Sequence, residues 1–188
     1  MTWLLEGEGY AVTAYDSGEA FLAVSRSVTQ GCLVLDVRMP EMSGLELHER
    51  LSSQDFPLPI LFVTGHGDVP MAVSALQRGA CDFIEKPFHN EELLRRIQRA
   101  LKLDAERLAL AERHQKQQNG LDHLTLRERE ILAGVVAGKL NKQIADELQI
   151  SMKTVEAHRS RVMEKMGART AGELVATYMR ICAPPTEG

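Results

Sequence analysis

Two continuous apolar runs, each ending in a polar residue, constrain the fold of this chain more than any other feature of its sequence. The first is CLVLD at residues 32–36, and the second is PILFVT at residues 59–64. A strand that is apolar at every position is typical of a parallel sheet with helices on both faces, because neither face then meets water. The two runs therefore predict buried strands of an α/β domain.

Helices are predicted between these strands. Ser43 and Glu46 form a capping pair at a helix start, and so do Asp16 and Glu19. Two further segments are expected to be short strands: AVTAY at 11–15 and CDFIE at 81–85. The alternation predicts an open, doubly wound parallel sheet with right-handed crossovers. A long helix from about Asn90 is expected to continue out of this domain as a connector.

Three of the predicted strands end in side chains that could act together. These side chains are Asp36, Thr64 and Lys86. In open α/β sheets, functional groups gather at the carboxyl ends of the strands. A carboxylate that accepts a phosphoryl group, a hydroxyl that binds a phosphate oxygen and an ammonium that offsets the charge form a consistent set. Each residue alone is commonly a helix cap, a strand residue or a solvated charge, so the hypothesis depends on their combination.

Residues 121–188 are predicted to be short helices only. A tight turn joins NKQIADELQ to SMKTVEAHRSRVMEKM, and Ser151 is expected to cap the second of these helices. Two short helices joined in this way, with polar and basic residues on the outer face of the second, are typical of a helix-turn-helix. The second helix carries five basic or titratable side chains: Lys153, His158, Arg159, Arg161 and Lys165.

The charge of the chain is distributed unevenly. Residues 1–100 hold 8 Lys and Arg against 14 Asp and Glu, which argues against nucleic-acid binding by that part. Residues 121–188 hold 10 against 9. A DNA-binding surface in the second part must therefore depend on where its cations lie rather than on their sum.

The segments that carry these residues resemble a known family. LVLDVRMPEMSGLEL, VTGHGDVPMAV and GACDFIEKPF are similar to the phosphoacceptor, threonine and lysine segments of two-component response regulators, nearest in wording to the FixJ-type branch of the NarL/LuxR family. LTLREREIL, NKQIADEL and TVEAHRSRVMEKM resemble the LuxR-type DNA-binding domain. The resemblance implies a flavodoxin-like receiver domain at residues 1–101, a helical linker at 102–120 and a four-helix helix-turn-helix domain at 121–188.

The resemblance also implies roles for single receiver residues. Asp36 would be phosphorylated by a sensor histidine kinase, and Thr64 and Lys86 would contact the phosphoryl oxygens. Phe83 would be an aromatic switch residue that moves with Thr64, although a plain core role is equally consistent with its position. The peptide between Lys86 and Pro87 would be cis, an option that in practice only proline offers.

The beginning of the chain is where the resemblance fails. MTWLLEGEGYAV at residues 1–12 matches receivers only from midway through their first helix, so we expect the first strand and its acidic pair to be missing. Of the family's Mg²⁺ ligands, Asp36 and the backbone carbonyl of Arg38 would remain, which are too few for the octahedron that Mg²⁺ prefers. Either the start was assigned to an internal Met of a longer regulator, which we favour, or the receiver is degenerate. Three residues of this segment are expected in the core: Trp3, Leu4 and Leu5.

On the DNA side, the resemblance implies seven residues at or near the duplex: Lys153, Thr154, Glu156, Ala157, His158, Ser160 and Arg161. Arg159 and Lys165 lie at the margin of this set. Glu156 either accepts from a cytosine amino group or limits indiscriminate binding. Phosphorylation is expected to produce a homodimer that binds palindromic promoter sites on double-stranded DNA, with RNA polymerase as a further partner.

Composition and motifs exclude several other classes. The apolar stretches are far shorter than the roughly 20 residues of a membrane span, so we expect a cytoplasmic protein without a membrane partner. Cys32, Cys81 and Cys182 are expected to be reduced thiols. Haloacid-dehalogenase-type phosphatases also use a nucleophilic aspartate, but they need a second acid two residues later, where this chain has Arg38. We therefore expect no enzyme.

Two alternatives to a phosphorylation-dependent regulator remain open from the sequence. With a degenerate receiver, the chain could bind DNA independently of phosphorylation. It could also be an interaction adaptor that does not bind DNA at all.

Overall fold

The computed structural model describes residues 1–65 and 69–182 of the 188-residue chain. The chain divides into two compact units, Met1–Leu108 and Ala109–Gly188. The division lies inside the segment for which the sequence predicts a helical linker. None of the helices in the described residues is both long and apolar enough to cross a membrane.

The first unit alternates helices with strands. Its elements in chain order are α1 (Thr2–Gly7), α2 (Gly18–Val24), a short 3₁₀ turn (Ser25–Ser27), β1 (Leu33–Asp36), α3 (Gly44–Ser52), β2 (Ile60–Thr64), α4 (Val69–Gln77), β3 (Asp82–Glu85) and the beginning of α5 (Asn90–Asp122). The second unit is helical over its described residues. Its elements are the end of α5, then α6 (Leu126–Val136), α7 (Asn141–Leu148), α8 (Met152–Lys165) and α9 (Ala171–Cys182).

Three parallel strands form the sheet that the described residues contain, in the order β1, β2, β3. Leu33 pairs with Ile60, and Leu61 pairs with Asp82. Every residue of β2 is buried, as its continuous apolar sequence predicts, because helices cover both faces of the sheet. The predicted parallel α/β architecture is therefore confirmed.

Two separate clusters of apolar side chains pack on the two faces of the sheet. One contains Phe21 of α2, Leu47 of α3 and Phe62 of β2. The other contains Leu5 of α1 and Leu93 of α5 together with further residues of the strands. A sheet between two helical layers is the arrangement expected of an open α/β fold.

Residues 11–15 do not form the strand that the sequence predicts. This segment and β1 line a cavity of about 450 Å³ instead of pairing with each other. A short extended segment is not stable as a strand unless a neighbour satisfies its backbone groups, and this one has no partner in the sheet. The prediction was wrong because local residue preference does not supply a pairing partner.

Two predictions about the first helices also need correction. Trp3 is not a core residue, since 86% of it is exposed, whereas Leu5 is buried. Ser17, not Asp16, caps α2, because the Ser17 hydroxyl accepts from the N–H of Ala20 at 3.1 Å. By contrast, the capping box of Ser43 and Glu46 at the start of α3 is present as predicted.

The helix α5 stays fastened to the first unit beyond residue 101. The carboxylate of Asp104 is buried and accepts from the N–H of Gly31 at 2.7 Å. Arg107 pairs with Asp104 at 2.8 Å and donates to the carbonyl of Thr29 at 2.7 Å. These contacts fix one turn of α5 to the loop that leads into β1.

The second unit has a single apolar cluster. Ile131 of α6, Ile144 of α7, Val155 and Val162 of α8 and Leu174 of α9 lie in it, and all are buried. Ser151 caps α8 as the sequence predicts, and Thr125 and Glu128 form a capping box on α6. Between α7 and α8, Gln149 adopts a left-handed conformation with φ of 52°, which closes the tight turn.

Candidate functional site

An ion pair joins the ends of two strands in the first unit. Asp36 is the last residue of β1, and Lys86 directly follows β3. The Lys86 ammonium lies 2.5 Å from Oδ2 of Asp36. Their side chains are 47% and 37% exposed, so water reaches both charges. The pair is therefore accessible to a reactant from solution.

The backbone around Asp36 holds its carboxylate in one orientation. The N–H of Arg38 donates to Oδ1 of Asp36 at 3.0 Å, so both carboxylate oxygens accept a hydrogen bond. Gly44, the first residue of α3, lies against the strand end. A Cβ at this position would lie 2.2 Å from the Asp36 carbonyl oxygen. Gly44 was not predicted as a site residue, although its position directly after the predicted helix cap Ser43 was the available signal.

Thr64 lies at the same sheet edge, one strand away from Asp36. Asp36 pairs with Val63, and Thr64 is the next residue of β2. The Lys86 N–H donates to the Thr64 carbonyl at 2.8 Å. The Thr64 side chain is fully buried, and its hydroxyl donates to the carbonyl of Gly65 at 3.2 Å. The structure thus brings the three strand-end residues together, with the hydroxyl turned to its own backbone.

The remaining predicted receiver residues flank this edge. Phe83 is half-buried and packs against the apolar cluster that contains Phe62. The Lys86–Pro87 peptide is cis, as expected from the sequence. His66, in the segment VTGHGDVPMAV, lies outside the described residues.

The cysteines of the first unit show no sign of reactivity. Burial raises the pKa of the Cys32 and Cys81 thiols to about 11, with nearby carboxylates acting in the same direction. A thiol with so high a pKa carries very little thiolate at neutral pH. All three cysteines are free, which agrees with the reduced thiols that the sequence predicts.

In the second unit, α8 turns a polar face to solvent. Val155 and Val162 are buried on its inner side. Five of the residues predicted to contact DNA are exposed: Lys153, Glu156, Ala157, Ser160 and Arg161. The apolar spacing of the helix thus leaves the predicted set on the opposite, accessible face.

Thr154 and His158 are less exposed than the other predicted contact residues. The Thr154 hydroxyl lies 2.8 Å from that of Ser151, within the helix cap. Nδ1 of His158 is buried and has no hydrogen-bond partner among the residues that the structure describes. Any polar contact that this ring makes with a ligand must therefore come from Nε2.

Two cations of α8 are engaged inside the second unit. Arg159 donates to the side-chain oxygen of Asn141 at 2.7 Å. Lys165 lies 2.7 Å from the buried carboxylate of Glu128. Lys153 and Arg161, in contrast, have no hydrogen-bond or ion-pair partner within the described parts of the chain.

Each of the two units matches a known protein family. The response regulator receiver domain family matches residues 1–98, and the bacterial regulatory proteins of the luxR family match residues 122–178. The chain is a response regulator of the LuxR type. This response regulator is 44% identical to the transcriptional regulatory protein TdiR of Thauera aromatica over 96% of its own length and 79% of the relative.

Other relatives have the same organisation. The response regulator is 46% identical to the transcriptional regulatory protein FixJ of Rhizobium meliloti, over 93% of its length and 86% of that protein. Among solved structures, response regulator StyR matches with a TM-score of 0.77 and 41% identity, covering 94% of this chain and 89% of StyR. Full-length FixJ of B. japonicum matches with a TM-score of 0.57 and 42% identity, over 96% and 89%.

These matches confirm the predicted class, a two-component transcriptional regulator with a receiver and a DNA-binding domain. Proteins of this family are regulators of transcription and not enzymes. Receiver domains generally use Mg²⁺. However, residues 1–65 and 69–182 contain no group of three or more Asp, Glu, His or Cys side chains that could hold a metal ion. These residues therefore do not fit a preformed Mg²⁺ site.

Proposed function

We propose that this response regulator accepts a phosphoryl group on Asp36 from a sensor histidine kinase. The observation that carries the proposal is the Asp36–Lys86 pair, a solvent-accessible carboxylate held 2.5 Å from an ammonium at the carboxyl edge of the sheet. An Asp36 oxygen attacks phosphorus, the bond from phosphorus to the kinase histidine breaks, and that nitrogen retains the bonding electron pair. Lys86 offsets the negative charge that develops on the phosphoryl oxygens.

The hydrogen bonds around Asp36 suggest how the carboxylate is oriented for this reaction. The Arg38 N–H holds Oδ1, while Lys86 holds Oδ2, so that the carboxylate faces the open edge in one rotamer. No step of the proposal depends on Mg²⁺. Asp36 and the Arg38 carbonyl alone would supply too few hard oxygen ligands for that ion.

The response to phosphorylation would pass through Thr64 and Phe83. A phosphoryl group on Asp36 adds close to two negative charges and three strong acceptors. The Thr64 hydroxyl donates its hydrogen bond to the Gly65 carbonyl, and a phosphoryl oxygen would be a stronger acceptor. Turning of Thr64 would change the space beside the half-buried Phe83, which then moves inward.

The surface next to these residues is the proposed site of homodimer formation. It consists of α4 and β3, and Val73 on α4 is 43% exposed. Dimerisation would present two α8 helices to half-sites about one DNA turn apart. Binding of one half-site raises the effective concentration of the other helix at the second half-site, so a palindromic site is favoured.

The proposed DNA contacts are the exposed face of α8. Lys153 and Arg161 would contact phosphates, which set affinity, and residues such as Glu156 and Ser160 would reach base edges, which set specificity. We propose that the protein acts in the cytoplasm, where bacterial DNA lies, that it activates transcription through contact with RNA polymerase, and that it has no catalytic activity of its own.

The proposed phosphoacceptor is tested by mass spectrometry. The purified chain is incubated with a small phosphodonor, and its intact mass is compared with that of Asp36→Ala and of the control Asp55→Ala, a carboxylate outside the strand ends. We expect the wild type and Asp55→Ala to gain one phosphoryl group and Asp36→Ala to gain none. A phosphoryl group on Asp36→Ala would show that another residue is the acceptor.

A gel shift separates the remaining alternatives. If the wild type binds duplex DNA equally with and without phosphodonor, the protein is a DNA binder independent of phosphorylation. If it binds no DNA under any condition, the adaptor alternative is correct.

A further inference from the structure

The cations of α8 fall into two classes with different surroundings. Lys153 and Arg161 are exposed and have no partner within the described parts of the chain. Arg159 is half-buried and Lys165 is partly exposed, but each is bound to a polar group of a neighbouring helix in the same unit. A cation that is already neutralised inside a domain gains little from a phosphate, because it must first leave its partner.

Lys165 makes more contacts than Arg159 does. Its ammonium lies 2.7 Å from Oε2 of Glu128 and donates to the carbonyl of His123 at 3.2 Å. Glu128 is buried, and the same carboxylate accepts from the N–H of Thr125 at 2.9 Å. The side chain of Lys165 is therefore joined both to the loop between α5 and α6, through His123, and to the first turn of α6, through Glu128.

The backbone of Lys165 is fixed against the same region. A Cβ added to Gly120, near the end of α5, would lie 2.0 Å from the Lys165 carbonyl oxygen. Only a glycine allows the two backbones to approach so closely. Met166, the next residue, is fully buried in the core of the unit. The carboxyl end of α8 is thus held in three ways: by the side chain of Lys165, by the backbone of Lys165 and by the buried Met166.

Arg159 makes a similar contact nearer the middle of α8. Its guanidinium donates to Asn141, the first residue of α7, at 2.7 Å. This bond crosses the turn of the helix-turn-helix and joins its two helices. Together, the contacts of Arg159 and Lys165 tie α8 to α7 and to the start of α6.

We propose that Arg159 and Lys165 are positioning residues that hold α8 in place for DNA, and that they do not themselves bind phosphates. The inference rests on the proposed function, because it assumes that α8 is the helix that meets DNA. On this proposal, Lys153 and Arg161 bind DNA, whereas Arg159 and Lys165 fix the helix.

The salt dependence of DNA binding distinguishes these roles. Each phosphate that a protein neutralises steepens the fall of affinity with salt, so losing one contact makes the slope shallower by about one. The full chain is titrated, at several salt concentrations, with a short duplex that the wild type selects from a random library. Lys165→Met is the test variant, and Lys153→Met on the same helix is the matched control.

We expect Lys153→Met to make the slope shallower by about one. Lys165→Met should weaken binding about tenfold at every salt concentration without changing the slope. The variant leaves the buried Glu128 carboxylate without its ammonium partner, and α8 then shifts. The double variant Glu128→Gln/Lys165→Met, which removes both charges, should recover affinity to within about threefold of the wild type. Lys165→Arg should keep wild-type affinity. Circular dichroism of each variant checks that it is folded.

A shallower slope for Lys165→Met, equal to that of Lys153→Met, would overturn the inference and make Lys165 a phosphate contact. Failure of the double variant to recover affinity would overturn the inference as well, since the loss of affinity in Lys165→Met would then not be caused by the unpaired Glu128 carboxylate. If the wild type itself selects no duplex and binds none at low salt, the proposed function fails, and the positioning role fails with it. The two failures are therefore distinguishable.

Discussion

The two units use a Lys–carboxylate pair in opposite ways. In the first unit, Asp36 and Lys86 form a pair in which both side chains are partly exposed to water. In the second unit, the carboxylate of Glu128 is buried, and Lys165 covers it. An exposed pair contributes little to stability and can be rearranged, whereas breaking a buried one leaves an uncompensated charge. This difference is the one expected if the first pair takes part in the proposed phosphorylation and the second holds α8 in place.

In the described part of each unit, a glycine lies against a backbone carbonyl at the pair. Gly44 faces the Asp36 carbonyl, and Gly120 faces the Lys165 carbonyl. A methyl group added at either position meets a backbone atom that cannot move aside. We expect Gly44→Ala and Gly120→Ala each to lower the free energy of unfolding of its own unit by about 3 kcal/mol, the largest effect predicted. Hydrogen exchange measured on peptides of each unit locates the loss.

Gly172→Ala is the control for these variants. The nearest atom to a Cβ at Gly172, which lies in α9, would be 3.9 Å away. This variant should be as stable as the wild type or slightly more stable, because Ala favours a helix over Gly. If Gly44→Ala behaves like Gly172→Ala, the close approach of α3 to the strand end is not required.

The buried carboxylate of Glu128 should make the stability of the second unit depend on pH in the acid range. The bond from Lys165, followed by that from the Thr125 N–H, lowers the pKa of Glu128 to about 2, from an ordinary value of 4.5. Its stabilisation is therefore present above pH 4.5 and is lost as the pH falls toward 2. We expect Glu128→Gln to reduce the free energy of unfolding at neutral pH by about 2 kcal/mol and to flatten the acid dependence.

Glu130→Gln serves as the comparison for Glu128→Gln. Glu130 pairs with Arg127 on the same helix, and both side chains are partly exposed, at 38% and 43%. Denaturant unfolding of this variant should match the wild type to within about 0.5 kcal/mol. A loss as large as that of Glu128→Gln would mean that burial does not distinguish the two pairs.

The sequence predicted what depends on near neighbours and on continuous patterns. The capping box of Ser43 and Glu46 was found because both partners lie within one helical turn. The strands β1 and β2 were found because burial on both faces requires an apolar residue at every position. The convergence of Asp36, Thr64 and Lys86 followed from the parallel arrangement of the strands, which fixes where their ends meet.

What the sequence could not supply was the identity of distant partners. Residues 11–15 have strand-like residues but no neighbouring strand to pair with. The helical pattern around Trp3 does not say which face is covered, and this side chain is exposed. Lys165 and Arg159 looked like further members of a basic DNA-facing row. Only the fold shows that Glu128 and Asn141 lie within reach of them.

A buried histidine offers a smaller test in the first unit. His48 of α3 is buried with its ring 5.6 Å from that of Phe62. Burial, followed by the charge of Arg78, lowers its pKa below the ordinary value of 6.5. The folded state therefore disfavours the protonated ring, and the unit loses stability as the pH falls below 6.5. We expect this loss to be under about 1 kcal/mol and to be absent in His48→Leu.

Urea unfolding at neutral and mildly acidic pH measures this effect. His89→Gln, at an exposed position, is the control and should keep the pH dependence of the wild type. An unchanged pH dependence in His48→Leu would assign the loss to another group.

The smallest effect is expected for the exposed pair itself. Lys86→Met removes the partner of Asp36 but leaves a carboxylate that water can solvate. The free energy of unfolding should change by no more than about 0.5 kcal/mol. Phosphoryl uptake from a small phosphodonor should nevertheless fall strongly, because the variant lacks the ammonium that offsets the developing charge. A loss of stability comparable to that of Glu128→Gln would contradict the contrast between the two units.

The most direct test of the account is the affinity of the full chain for its selected duplex, measured with and without a small phosphodonor. We expect the phosphodonor to raise the affinity of the wild type about tenfold and to leave that of Asp36→Ala unchanged. Equal affinity of the wild type under both conditions, or an equal rise in Asp36→Ala, would contradict the claim that Asp36 controls DNA binding.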